Sequence, residues 1–159
     1  MSNLKVGDKA PEFSLLDNEN KQHTLSDYQG KWLILFFYPK DNTPGCTVEA
    51  CQFRDNYADI LAIDTKILGI STDKIDSHNH FISKFKLPFP LLSDDKGIMS
   101  KLYGSLFKLG PIKFCKRHSF IIDPEGNIAK IYRKVTSSEH SEQIITDLKK
   151  LQAASISKG

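Results

Sequence analysis

The most apolar run of the chain, WLILFFY at residues 32–38, leaves no polar face. A strand built from it must be covered on both sides, so it predicts the centre of a sheet with helices above and below. Two short extended pieces, residues 13–16 and 22–25, flank the turn-rich DNENK and predict an N-terminal hairpin. KILGIS at 66–71 reads as a second core strand, and residues 90–93, introduced by LPFP, as a shorter third. Residues 119–123 and 128–133 are parted by PEGN, a strong turn signal, and predict a second hairpin.

Between these strands the apolar period changes to about 3.6. From 47 to 63, Ala50, Phe53, Tyr57, Ile60 and Leu61 mark one face of a long helix. Residues 75–85 and 97–103 predict shorter helices. Residues 138–151 predict a last one, with Ile144, Ile145, Leu148 and Leu151 on one stripe and Ser138 placed as its cap. Residues 104–116 read as a loop with Phe107, Ile112 and Phe114 turned outward, and AASISKG as a mobile tail. Strands alternating with helices and closed by a hairpin specify an α/β fold with a mixed central sheet. The N-terminal hairpin is expected outside that unit.

At 159 residues, without repeat or linker, the chain is expected to be a single domain over 1–159. A net charge of +3, with basic groups as short as Lys113, Lys116 and Arg117, argues against nucleic acid as a partner. The N-terminus lacks the apolar core of a signal peptide, and no run is long enough to span a bilayer. The expected location is cytoplasmic, where disulfides are transient and catalytic or sensory. Three cysteines, an odd number, fit that better than a structural disulfide framework. The five histidines, His23, His78, His80, His118 and His140, have no spacing that converges with the cysteines on a tetrahedral metal site.

The candidate chemistry lies in YPKDNTPGCTVEAC, residues 38–51. Cys46 falls where the central strand exits and the long helix begins. Free N–H groups and the helix dipole favour a thiolate there. An ordinary buried cysteine beside a turn is the plain alternative. Cys51 follows five residues later, and helix geometry separates the two Cα atoms by about 8–9 Å. A disulfide spans at most ~7 Å, so the two can pair only if the first helical turn unwinds.

Pro39, Thr43 and Cys46 stand as P-x-x-x-T-x-x-C, followed by CTVEAC, with RHSFIID at 117–123 and GDKAPEFSL near the start. In these segments the chain resembles the peroxiredoxins, and within them the Q-type or bacterioferritin comigratory branch, over nearly its whole length. The resemblance implies a thioredoxin-like fold and a thiol peroxidase acting on hydrogen peroxide and organic hydroperoxides. It makes Cys46 the peroxidatic nucleophile and Cys51 the resolving cysteine, joined in an intramolecular disulfide. Thr43 would hydrogen-bond the peroxide, Pro39 would shield the sulfur, and Arg117 would hold thiolate and peroxide. Glu49 would orient Arg117. The implied partner is thioredoxin or a similar dithiol reductant, and neither metal, haem nor flavin is required as cofactor. No cysteine follows Arg133, so resolution by a C-terminal cysteine of a second chain is not expected, and a monomer is the default.

Cys115 is the feature that pattern leaves unexplained: a buried thiol, or a second resolving partner. Two rival functions also remain on the residues alone. One is a dithiol–disulfide oxidoreductase acting on proteins, and the other a redox sensor that relays oxidation to a partner.

Overall fold

A computed structural model describes residues 4–158. The strands are β1 (Ser14–Asp17), β2 (Gln22–Thr24), β3 (Trp32–Phe37), β4 (Thr65–Ser71), β5 (Leu91–Ser93), β6 (Leu106–Leu109), β7 (Ile112–Cys115), β8 (His118–Ile122) and β9 (Ile128–Tyr132). The helices are α1 (Pro44–Asp55), α2 (Tyr57–Ala62), α3 (Ile75–Phe85), α4 (Ile98–Leu102) and α5 (His140–Lys158). Seven strands form one mixed sheet in the order β2-β1-β5-β4-β3-β8-β9. β3 lies inside it, parallel to β4 and antiparallel to β8, with Phe36 opposite Gly69 and Ser119. This is the thioredoxin-like α/β arrangement, with helices on both faces of a central mixed sheet.

Strand alternation divides the core in two. Ile34, Phe36 and Tyr38 point to one face, where they pack with Ala50 and Phe53 of α1, Phe81 of α3, and Ile144 and Leu148 of α5. Leu33, Leu35 and Phe37 point to the other, among Phe13, Met99, Tyr103 and Phe120. Because β3 carries large side chains on both faces, its neighbour gives way at Gly69. A Cβ there would lie 2.6 Å from Leu91 Cδ2 and 2.7 Å from Phe36 Cζ.

Five expectations need correction. The N-terminal hairpin does not stand apart: β1 pairs antiparallel with β5 and extends the main sheet. The long helix breaks at Asn56 (φ −101°, ψ 10°), whose side-chain amide donates to Ser141 Oγ of α5 at 2.8 Å. Ala50, Phe53 and Ile60 are buried across the break, but Leu61 is exposed. Residues 104–116 are not a loop, since β6 and β7 form a separate hairpin with Phe107 stacked on Phe114. The last helix begins at His140, after a turn in which the Glu139 and His140 amides both donate to Thr136 O, so Ser138 does not cap it. It continues to Lys158, which makes most of the supposed tail helical.

Candidate active site

The apolar run of β3 ends at Phe37, and the chain leaves the sheet through Tyr38 and Pro39 into an irregular segment before α1. Pro44 occupies the first turn of α1, where a missing N–H costs nothing. The first i→i−4 bond runs from Thr47 N to Thr43 O at 2.8 Å. The Gly45 and Cys46 amides precede it, and Cys46 itself is 1% exposed. Thr43 is the N-cap by backbone only. Its hydroxyl donates to Lys40 O at 2.9 Å, across the segment rather than into the helix.

Arg117 enters from the other side, between β7 and β8. Its Nη2 lies 3.5 Å from Cys46 Sγ and its Nη1 3.0 Å from Glu49 Oε1. Gly45 is what admits it, since a Cβ there would come within 3.0 Å of Arg117 Nη2 and 3.6 Å of Ser137 Oγ. Glu49 is almost fully enclosed, and burial pushes its carboxyl up to about 7 against the opposing pull of Arg117. Its Oε2 is the one buried side-chain polar atom without a hydrogen-bond partner among the described residues. Burial alone would pull the Arg117 guanidinium down, but Cys46 and Glu49 together hold it raised. Cys46, Arg117 and Glu49 are therefore one contact group, with Thr43 three residues ahead of the thiol and Pro39 half-buried on the same segment.

Cys51 lies on α1, partly buried, as a free thiol. Burial raises its pKa, with Arg54 opposing and Asp55 adding to the rise. Cys115 is elsewhere. It belongs to the core on the opposite face of the sheet from Cys46, within 3.1 Å of Ser100 Oγ, and burial pushes its thiol up to about 12. β7 ends at Cys115 and β8 starts at His118, so strand alternation does not carry from Cys115 to Arg117. His118 turns away from Arg117, with Ser105 Oγ 2.8 Å and Arg133 Nη1 3.0 Å from its Nδ1.

Pro44-Gly45 is legible in the sequence as a tight approach to the thiol, but sequence reasoning missed Ser137 and a buried polar group beneath the segment. The ligand atoms of Asp41, Asp73 and His78 lie within 4.8 Å of one another. Both His78 ring nitrogens and both Asp41 oxygens are already engaged with protein groups, so the set is a hydrogen-bond network rather than a vacant cation cage. Asp41 stands inside the P-x-x-x-T-x-x-C motif, but its partner is 37 residues away on α3 and no local spacing announces it.

A profile of the AhpC/TSA family matches residues 6–131. Peroxiredoxin Bcp of Bacillus subtilis is 40% identical over 152 residues, covering 92% of this chain and 96% of that one. The crystal structure of a point mutant of Xylella fastidiosa PrxQ is similar with a TM-score of 0.89 and 32% identity, over 96% of this chain and 99% of that one. A Xanthomonas campestris bacterioferritin comigratory protein, described for its alkyl peroxide reduction activity, is similar with a TM-score of 0.81 and 31% identity, over 86% and 90% of the two chains.

Proposed function

Because the chain belongs to the AhpC/TSA family, and within it to the peroxiredoxin Q (Bcp) thiol peroxidases, we propose that it reduces hydroperoxides by a cycle confined to one chain. Cys46 is the attacking sulfur and Cys51 the resolving one. The observation that carries the reading is the Arg117 guanidinium, shared between the Cys46 sulfur and the buried Glu49.

In the first step the Cys46 thiolate attacks one peroxide oxygen. The O–O bond breaks, and the second oxygen leaves as hydroxide or alkoxide and takes a proton to become water or alcohol. Cys46 becomes a sulfenic acid. In the second step the Cys51 sulfur attacks it, a disulfide forms, and water leaves. An external dithiol then reduces the disulfide by exchange and is itself oxidised to a disulfide. Thioredoxin is the proposed dithiol, and hydrogen peroxide and alkyl hydroperoxides are the proposed substrates. The alkyl peroxide activity described for the Xanthomonas relative supports the second substrate class. A monomer in a reducing, cytoplasmic compartment fits a resolving cysteine on the same helix and an odd number of thiols.

Activating the thiol is not enough for such a reaction. A free cysteine with a pKa of about 8.5 is already ~3% thiolate at pH 7, so full ionisation gains only about 30-fold, or ~2 kcal/mol. The remaining acceleration must come from groups fixed before reaction and aimed at the peroxide oxygens. Arg117 donates from beside the sulfur. Thr43 has committed its hydroxyl proton to Lys40 O, which leaves its lone pairs to accept the peroxide O–H.

The deciding experiment is peptide mapping after one equivalent of hydrogen peroxide without reductant. A Cys46–Cys51 linkage supports the cycle. A Cys46–Cys115 linkage transfers the resolving role, and unmodified thiols refute the peroxidase.

A further inference from the structure

The segment from Pro39 to Thr43 has no regular structure, and Asp41 ties it down. Asp41 is 6% exposed. Its backbone N–H donates to Asp73 Oδ2 at 2.7 Å. Its Oδ1 accepts the Tyr38 hydroxyl at 2.5 Å, and its Oδ2 accepts the Ser77 hydroxyl at 2.7 Å. That same Oδ2 lies 2.7 Å from His78 Nδ1, and the two side chains are 3% and 0% exposed.

The proton count at this contact is set by the partners. His78 Nε2 lies 2.9 Å from Leu92 O, and a carbonyl only accepts, so Nε2 carries a hydrogen. A neutral ring would then aim the Nδ1 lone pair at a carboxylate oxygen. A proton must lie between Nδ1 and Oδ2. Ser77 donates its hydroxyl hydrogen to the same carboxylate, and Tyr38, 3.4 Å from Nδ1, gives its own to Asp41 Oδ1 at 2.5 Å, so neither supplies it. The contact is a buried, proton-sharing pair that joins the segment to α3 through His78 and to β5 through Leu92. Such a pair holds geometry strongly, since neither partner can be left alone in the interior.

Two further features extend the hold of Asp41 to Asn42 and Thr43. Asn42 follows at φ 64°, in the left-handed region that asparagine tolerates better than most side-chain residues, so the chain turns sharply just after Asp41. The Thr43-to-Lys40 hydrogen bond then closes the turn over Asp41. On the peroxidase reading, Pro39 and Thr43 must keep their places while the first turn of α1 unwinds just beyond them.

We propose that Asp41 and His78 are positioning residues for the peroxidase site, anchoring the segment that carries Pro39 and Thr43. The inference rests on the proposed function and concerns residues that do not touch the reacting atoms. Its test uses Asp41→Asn, His78→Gln and the double variant in the full chain. Three quantities are measured: the rate of Cys46 oxidation by hydrogen peroxide, the rate of alkylation of the same thiol by iodoacetamide, and amide hydrogen exchange over residues 40–47. Alkylation needs the thiolate but no cradle for a peroxide. Each single variant is expected to lower oxidation about 10-fold or more while alkylation changes less than about 2-fold. Exchange at 40–43 should rise, and the double variant should be no slower than the worse single one.

Oxidation and alkylation falling together, or neither falling, would overturn the proposal. Should the single variants fail to fold, Ser77→Ala removes one bond to the same oxygen, and the same split is expected with smaller amplitude. A wild-type protein whose Cys46 ignores peroxide overturns the peroxidase reading instead. The anchor is then judged by exchange alone: faster exchange at 40–43 in the variants supports it, and unchanged protection overturns it.

Discussion

Arg117 bridges Glu49 and Cys46: one guanidinium nitrogen lies 3.0 Å from the Glu49 carboxyl and the other 3.5 Å from the Cys46 sulfur. The carboxyl accepts a hydrogen bond from the guanidinium, and the guanidinium in turn compensates a carboxyl otherwise shut away from water. Neither can be removed without consequence for the other.

Arg117→Ala is expected to slow oxidation by roughly 10²–10³-fold, the usual effect of losing one preorganised donor. Thr43→Val should slow it by about 10-fold through loss of an acceptor. Both losses should persist at a pH where Cys46 is fully ionised, because they concern the peroxide oxygens rather than the thiolate fraction. Second-order rate constants measured with hydrogen peroxide at high pH decide this. Unchanged rates there would refute the account.

Glu49 makes a signed prediction for stability. Its carboxyl is pushed from an ordinary 4.5 to about 7 in the fold, so folding favours the protonated form. The stability it contributes is complete below about pH 4.5 and is lost as pH rises through about 7, an effect on the order of 3 kcal/mol. Glu49→Gln, which stays neutral, should lose less stability than the wild type across that window in denaturant titrations. Parallel pH profiles would contradict it.

Cys115→Ala should leave turnover and the Cys46–Cys51 linkage intact. The thiol is buried on the other face of the sheet and held protonated by that burial. Steady-state peroxide consumption and peptide mapping test this together, and the appearance of an unresolved sulfenic or sulfinic acid on Cys46 in the variant would assign Cys115 a catalytic part.

Gly69→Ala places a methyl 2.6–2.7 Å from Leu91 and Phe36 in the middle of the sheet. Overpacking of this kind costs about 1–3 kcal/mol. A melting temperature lower by several degrees, with thiol reactivity retained once folded, is the expected outcome. An unchanged melting temperature would mean that Phe36 can move aside at no cost.

The core strands were legible in the sequence: β3, β4, β8 and β9 lie within a residue or so of where apolar spacing puts them, and α3 spans the residues 75–85 expected of a shorter helix. Expectation failed where a distant contact decides. The chain has no local reason to break at Asn56, whose side chain is drawn to Ser141 on α5. Nor does GSLFKLGPIKFCK alternate cleanly enough to declare the β6–β7 hairpin.

The same division holds at the site. Cys46, Cys51 and the approach through Thr43 can be read from spacing, because helix and turn geometry convert sequence distance directly into space, whereas Pro39 and Glu49 are named only through resemblance. The sequence also names Arg117, but only through resemblance, since 71 residues separate it from the thiol it contacts. Tertiary structure alone decided that Glu49 is buried enough to hold its proton near neutrality and that the missing side chain of Gly45 leaves room for the Arg117 guanidinium. It alone joined Asp41 to His78. Burial and proton sharing depend on which elements pack together, and no periodicity along the chain encodes that.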